Sequence, residues 1–428
     1  MTLPTNSEVS DLHPRALVPN RGPLVGLVVL DFTTNVSGPL ATYFLAGLGA
    51  TVIKIEEIKG DPVRNYVPFM GSAGLSTKSE SADAMSLPIL TRARGKHGVT
   101  LNLKSPEALR IYRELATRAD IVVENYASGT ADRLGIGYDA TRAINPRIIY
   151  CSLNGFGTGA LLGRKAFDAV IQAMSGMMMT SGKPGDPPMR IGMPIADTVA
   201  PLFAVMGINA ALYNRERTGE GEHVDISMLG SLAALLAVED WRAMQQLGLP
   251  TRTGNTLPRA SPMGCYRCRD GYIALAAGGR DAFARELFKV IGQPDLASDP
   301  RFSTLTARMQ NDGELTRLIE TWCGERSADE VERDLMAAGV PAAKVLLPAE
   351  ALDEPILHER QEIVSTSHPD LGEIAGLNTI GLPIRLRRSV PGYGAAAPRL
   401  GQHNESIYRD WLGFSSEQLA AWKAAGVF

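Results

Sequence analysis

The sequence is poor in the features that mark a disulfide scaffold, a nucleic-acid binder or a membrane protein. Four cysteines in 428 residues cannot staple a chain of this size, so they are expected as reduced thiols in a cytoplasmic compartment. Charge of one sign is also lacking. Lys plus Arg total 43 against 46 Asp plus Glu, a formal charge of −3, which provides no global field for nucleic acid or an acidic membrane surface. An anionic ligand must therefore meet a local basic patch. The longest apolar run, from Met228 to Val238, stops at Glu239 and falls short of the roughly 18 residues of a membrane span. Residues 1–20 mix Pro4, Glu8, Asp11 and Pro14 without an apolar centre, so they read as a mobile tail rather than a targeting peptide. The histidines fall into no metal-ligand spacing and no G-x-S-x-G elbow occurs, which argues against a metal site and against serine-hydrolase chemistry.

What is present fits a globular enzyme of two or three domains, with 45% hydrophobic and 21% charged residues. Residues 25–32 form an apolar run followed by a turn, and Gly38-Pro39-Leu40 opens a helix that closes at Gly49. Residues 51–56 alternate as a second strand and end at the Gly60-Asp61-Pro62 turn. A polar stretch rich in Ser, Ala and Gly over 71–86 reads as an atypical insertion. Further strands are expected at 99–103, 120–124 and 147–153, with helices opening at Ser105-Pro106-Glu107 and covering 138–143. The alternation predicts an α/β fold, a doubly wound, mainly parallel sheet of Rossmann-like type with helices on both faces. Residues 21–226 form its first part. A smaller α+β domain over 227–345 contains a hairpin turning at Arg269-Asp270-Gly271, and 346–428 returns to the large domain.

Two motifs invite readings that their surroundings reject. Gly155-Phe156-Gly157-Thr158-Gly159-Ala160 satisfies a loose dinucleotide pattern, but no clear helix start follows and Ser175 stands where the ribose-binding acid is needed. A nicotinamide or flavin site is thereby disfavoured. Cys265 and Cys268 have the spacing of half a zinc site without a second half, and in a strand they point to opposite faces. Two acids remain. Asp168 follows Lys165-Ala166-Phe167, and Asp197 follows Gly192-Met193-Pro194-Ile195-Ala196, each before an apolar helix. Helix N-termini favour ionised carboxylates, and capping is the ordinary explanation for such an Asp.

Taken in order, a series of segments resembles the class III CoA-transferase family, the group of formyl-CoA transferase, carnitine CoA-transferase and α-methylacyl-CoA racemase. The carriers are Val28-Val29-Leu30-Asp31-Phe32, Gly38-Pro39, Leu48-Gly49-Ala50-Thr51-Val52-Ile53-Lys54-Ile55-Glu56, Gly60-Asp61-Pro62-Val63-Arg64, and Leu101-Asn102-Leu103-Lys104. They continue with Val123-Glu124-Asn125-Tyr126, Arg133-Leu134-Gly135, Asn145-Pro146-Arg147, Gly155-Phe156-Gly157 and Arg217-Thr218-Gly219-Glu220-Gly221. The resemblance implies that Asp197 is the nucleophile and Asp168 a second active-site acid. It implies contacts to coenzyme A from Val36, Ser37, Leu101, Asn102, Leu103, Lys104, Asn125, Tyr126, Ala127, Arg133 and Lys165. Glu57 replaces an arginine of some relatives, and His97 departs from the common Gly-Lys-Arg, so phosphate binding is expected to draw on Arg94 and Lys96.

The same resemblance implies CoA transfer from an acyl-CoA, with succinyl-CoA one candidate donor, to a small carboxylic acid through an aspartyl anhydride and an aspartyl-CoA thioester. It implies neither metal nor ATP, and an interlocked homodimer. The racemase branch places a histidine before the acid corresponding to Asp168. Phe167 stands there and cannot act as a base, which favours transfer over α-proton exchange. The rivals are a racemase or epimerase on the same fold, a CoA-binding protein without catalysis in which Asp197 is only a cap, and a nicotinamide enzyme.

Overall fold

Short strands buried on both faces build the centre of the large sheet. The computed structural model describes residues 22–79, 81–159, 161, 163–257 and 259–428; the tail expected over 1–20 lies outside them. Six parallel strands, β1 (Val28–Phe32), β2 (Thr51–Glu56), β3 (Lys96–Thr100), β4 (Ile121–Glu124), β5 (Ile149–Asn154) and β6 (Glu222–Ser227), pair in the order β3-β2-β1-β4-β5-β6. This is the strand order of doubly wound sheets, whose ligands lie beyond the strand C-termini where the order reverses, here between β1 and β4. Along β1, Val28, Leu30 and Phe32 join a core with helix α3 (Pro106–Arg118) and with Ile407, Tyr408 and Trp422 near the C-terminus. Val29 and Asp31 alternate to the other face, which carries helix α1 (Ser37–Gly47).

Several boundaries move. The strand expected at 99–103 is β3, three residues earlier, because Leu101 to Lys104 form the turn beyond it. In and beside the polar stretch 71–86, Phe69–Gly71, Gly74–Ser76 and Met85–Ser86 form a small antiparallel sheet. It leads into helix α2 (Leu87–Arg92), where the Ser86 hydroxyl accepts from the Ile89 N–H and proline occupies the first turn. Ser86 and Pro88 were a legible cap-and-proline signal.

Two further helices carry the acids, α4 (Asp168–Ser175) and α5 (Ile195–Thr218). In α5, Ala196, Ala200, Ala204, Ile208 and Ala211 are buried at helical spacing, a small-residue stripe that allows close packing on α1. α5 corrects the reading of apolar runs: an 18-residue window within it has a mean hydropathy of 1.6, enough for a span by length and composition. A third of that window is buried inside the fold.

The chain divides into two units, Met1–Ser175 with Gly192–Leu235 and Leu352–Phe428, and Gly176–Ile191 with Leu236–Ala351. Thus β6 and residues 228–235 belong with the large sheet, whereas 176–191 join the smaller unit. That unit has an antiparallel sheet in the order Thr256–Leu257, β7 (Ala260–Arg267), β8 (Tyr272–Ala276), β9 (Ala342–Lys344). Its core sets Tyr266, Ile273 and Leu275 against Phe288, Leu315, Ile319 and Leu335 from the helices that follow. All four cysteines are free, and Cys268 meets Cys323 rather than Cys265.

On the α1 face of the sheet lie charges that water does not reach. Asp31, Lys54 and Lys96 are each at most 1% exposed, and Asp61 is 2% exposed. Lys96 pairs with Asp31 at 3.0 Å and Lys54 with Asp61 at 3.0 Å. Breaking a buried pair from one side strands the other charge at a cost of about 3–5 kcal/mol. Asp31→Ala is therefore expected to lose that much in urea unfolding, and the double change Asp31→Leu with Lys96→Met much less. Equal losses in both variants would show that the pairing is not what the fold depends on.

Candidate active site

The turn after β1 is held from every side. Asp31 Oδ1 accepts from the Thr33 N–H and hydroxyl, while Oδ2 accepts from Thr42 and Lys96. Lys96 also donates to the Pro39 carbonyl at 2.8 Å. Lys54 donates to the Thr33 carbonyl at 3.0 Å, and Asp61 Oδ1 accepts from the Asn35 N–H at 3.1 Å. Asn125, just past β4, accepts from the Thr34 N–H and donates to the Thr34 carbonyl, both at 2.8 Å. Thr33 in turn presses on Gly38, where an added Cβ would meet the Thr33 Cβ at 2.4 Å, so only glycine fits. The result is a rigid α1 N-terminus without a side-chain cap. No acceptor for the N–H groups of Val36, Ser37 and Gly38 is found among the described residues, which leaves them for an incoming oxyanion.

Asp197 lies in the first turn of α5, where Ser37 is near enough to lower its pKa. It caps nothing: the N-terminus of α5 has no side-chain cap of its own. That task falls to Asp168 on α4, whose Oδ1 accepts from the Ala196 N–H at 2.8 Å and whose Oδ2 accepts from Gln172 at 2.6 Å. The capping explanation therefore holds for Asp168 and fails for Asp197. Burial and then repulsion from Asp168 push the Asp197 carboxyl up to about 6, against the pull of Ser37 and Arg92. Such a carboxylate is mostly ionised at neutral pH, yet more basic and more nucleophilic than an exposed one.

The glycine-rich loop after β5 serves this arrangement. Asn154 accepts from the N–H groups of Phe156 and Gly157. A Cβ on Gly155 would meet the Ala166 Cβ at 2.2 Å, so Gly155 lets the 165–168 segment pass close to the strand end. Ala160, within the motif, lies outside the described residues.

The expected CoA contacts divide. Val36 and Ser37, Leu101 to Lys104, Asn125 to Ala127, and Lys165 all follow strands of the large sheet, with Arg133 on the next short helix. Lys104, Arg133 and Lys165 are exposed and Ala127 is open to solvent. Leu101 is not available through its side chain, which is buried in the core. Asn102 donates to the Gly426 carbonyl, and both ends of the Asn125 amide are taken by Thr34; its role here is to hold the turn. The Tyr126 side chain is mostly buried, and its N–H donates to Glu124.

The expectation for Lys96 fails, because it is wholly buried with Asp31. Arg94 precedes β3, at the N-terminal end of that strand, and bonds Thr379 and Tyr43. It lines a cavity of about 790 Å³ with Arg360, Arg385 and Tyr393. Conversely, Arg92, close enough to act on Asp197, was missed. Among the described residues no His, Cys, Asp and Glu cluster could hold a metal.

Comparison with known proteins identifies the family. The profile of CoA-transferase family III matches residues 24–404, and the chain belongs to that family. A succinyl-CoA–D-citramalate CoA-transferase of Chloroflexus aurantiacus is 35% identical over 95% of this chain and 98% of its own. A formyl-CoA:oxalate CoA-transferase of Streptomyces coelicolor is 34% identical over 94% and 98%. The crystal structure of a CAIB/BAIF family protein from Brucella suis, 31% identical, superposes with a TM-score of 0.80 over 92% of this chain and 100% of that one. The protein is an enzyme of the CoA-transferase class, which uses CoA thioesters as co-substrates.

The raised pKa has a testable sign. Above pH 6 the fold carries a charge that the unfolded chain holds at lower cost, and below about pH 4 both forms are protonated. Asp197→Asn is expected to be more stable than wild type by about 1–2 kcal/mol at pH 8, with the gain vanishing toward pH 4 in urea titrations. A gain independent of pH would contradict the assignment.

Proposed function

We propose that the enzyme moves CoA from an acyl-CoA to a free carboxylic acid, with Asp197 as the covalent carrier. The observation that carries this is the half-buried carboxylate of Asp197, which caps no helix and lies close enough to Ser37, in the open first turn of α1, for that residue to act on its pKa. An Asp197 oxygen attacks the thioester carbonyl, the C–S bond breaks, and a mixed anhydride and CoA thiolate result. The oxyanion formed on the way sits against the Val36, Ser37 and Gly38 N–H groups. The thiolate then attacks Cγ of Asp197, releasing the donor acid and leaving an aspartyl-CoA thioester. The acceptor carboxylate reverses both steps, and no net proton is taken up or released. Asp168 keeps Asp197 basic and caps its helix.

The exposed cations Lys104, Arg133 and Lys165 are proposed for the CoA phosphates. Succinyl-CoA is the proposed donor, supported by the succinyl-CoA enzyme among the relatives. A reducing, cytoplasmic setting is part of the reading and accords with four free thiols. Phe167, 73% exposed where a second base would be needed, favours transfer over racemisation.

A homodimer is proposed on the exposed stripe of α5, where Leu202, Met206 and Tyr213 are 53%, 64% and 69% exposed on one helical face. Sedimentation of wild type as a dimer and of Met206→Glu as a weakened one is expected; a wild-type monomer would remove this part. For the chemistry, intact mass after mixing with succinyl-CoA is expected to show an adduct on the peptide holding Asp197. Asp197→Ala should form none and transfer at least about 10³-fold more slowly. Transfer without any adduct would defeat the carrier role.

A further inference from the structure

The catalytic turn lies at the C-terminal ends of the parallel strands. The cavity of about 790 Å³ lies where those strands begin: Gly49, Ala50 and Thr51 line it at the start of β2, and Arg94, Gly95 and His97 at the start of β3. A five-residue strand is roughly 17 Å long, so a small ligand in one place does not fill the other. The remaining lining comes from residues 360–395 of the same unit. Cavities of this size are typical of small-molecule sites.

The charge of the lining is one-sided. Arg94, Arg360 and Arg385 belong to it, and no Asp or Glu does, in a chain whose formal charge is −3. Arg360 is matched by Glu362 at 2.6 Å. Arg94 and Arg385 have no ion pair among the described residues. Arg385 stands in an exposed segment, where water can serve it. Arg94 is only 8% exposed. Its Nη1 donates to Thr379 and, at 3.4 Å, to the Tyr43 hydroxyl, and the guanidinium lies 5.3 Å from the centre of the Tyr393 ring. These neutral partners fix the guanidinium without matching its charge, and a nearly buried cation in that state is costly. His97 does not add to the charge, because burial, and then His403, push its imidazole down to about 4.

The free edge of Arg94 has the shape of an anion receptor. Nε and Nη2 have no partner among the described residues, and these are the two nitrogens with which Arg64 grips both oxygens of Glu56. We infer that the cavity is a second ligand site, for a small molecule with two anionic groups, carboxylate or phosphate. One group takes Nε and Nη2 of Arg94 in the two-point fashion, and the other meets Arg385. Two unmatched cations in one lining call for a dianion, and a single carboxylate would leave one of them unmet.

The site does not rest on the carrier role of Asp197, and its test needs no turnover. The full chain is titrated by calorimetry with citrate and with pyrophosphate in about 0.15 M salt, which screens loose surface attraction, and with saturating CoA to occupy the catalytic site. At least one probe is expected to bind once per chain, and the one that binds tells whether the site prefers carboxylate or phosphate. Arg94→Gln is expected to weaken that binding at least about 10-fold and Arg385→Ala at least about 5-fold. Should Arg94→Gln fail to fold, Arg385→Ala decides alone, because that side chain is exposed and holds nothing else in place. Failure of both probes to bind, or binding unchanged by the substitutions, overturns the site. Displacement of the probe by CoA, or an equal loss of CoA affinity in the variants, assigns the cavity to the co-substrate and overturns a second site.

Discussion

The site depends on one buried carboxylate that never reacts. Asp31 sits mid-sheet with no exposure, and it binds Thr33, Thr42 and Lys96 at once. Burial alone would neutralise it, but Lys96 and Lys54 with the two threonines hold its pKa down at about 2. It therefore stays charged and fixes the turn that leads into α1. Lys54, Asp61 and Asn125 hold the adjoining backbone groups. The free N–H groups of Val36 to Gly38 and the Ser37 hydroxyl can only be as well aimed as this turn is rigid.

Two aspartates in one fold are thus given opposite properties by their surroundings. Asp31 has a hydroxyl on each oxygen and Lys96 on Oδ2, and is inert. Asp197 has partial burial, a like charge at Asp168 and a single hydroxyl, so its pKa rises to about 6. The difference is the ordinary separation of a structural carboxylate from a reactive one.

Much of the architecture was legible because the sheet announces itself by short apolar runs, buried on both faces, with glycine and proline at the turns between them; the strand at 51–56 matches to the residue. The antiparallel strands near 71–86 were not legible, since short polar strands carry little periodicity and depend on pairing partners. Asp168 and Asp197 could be found but not told apart, because a cap and a nucleophile both precede helices. Their roles separate only when Ala196 N–H is seen to choose Asp168. Lys96 misled because a basic run shows charge, not direction. Arg92 escaped because nothing in the sequence shows that it acts on Asp197.

The central claim is that the acceptor acid bonds to Asp197 during transfer. If so, a carboxyl oxygen of the acceptor stays behind when the thiolate takes its acyl group. With an acceptor labelled with ¹⁸O in its carboxylate and with succinyl-CoA, mass analysis of peptides after turnover is expected to show heavy oxygen in Asp197 and in no other carboxyl group. Product formation with an unlabelled Asp197 would contradict the account.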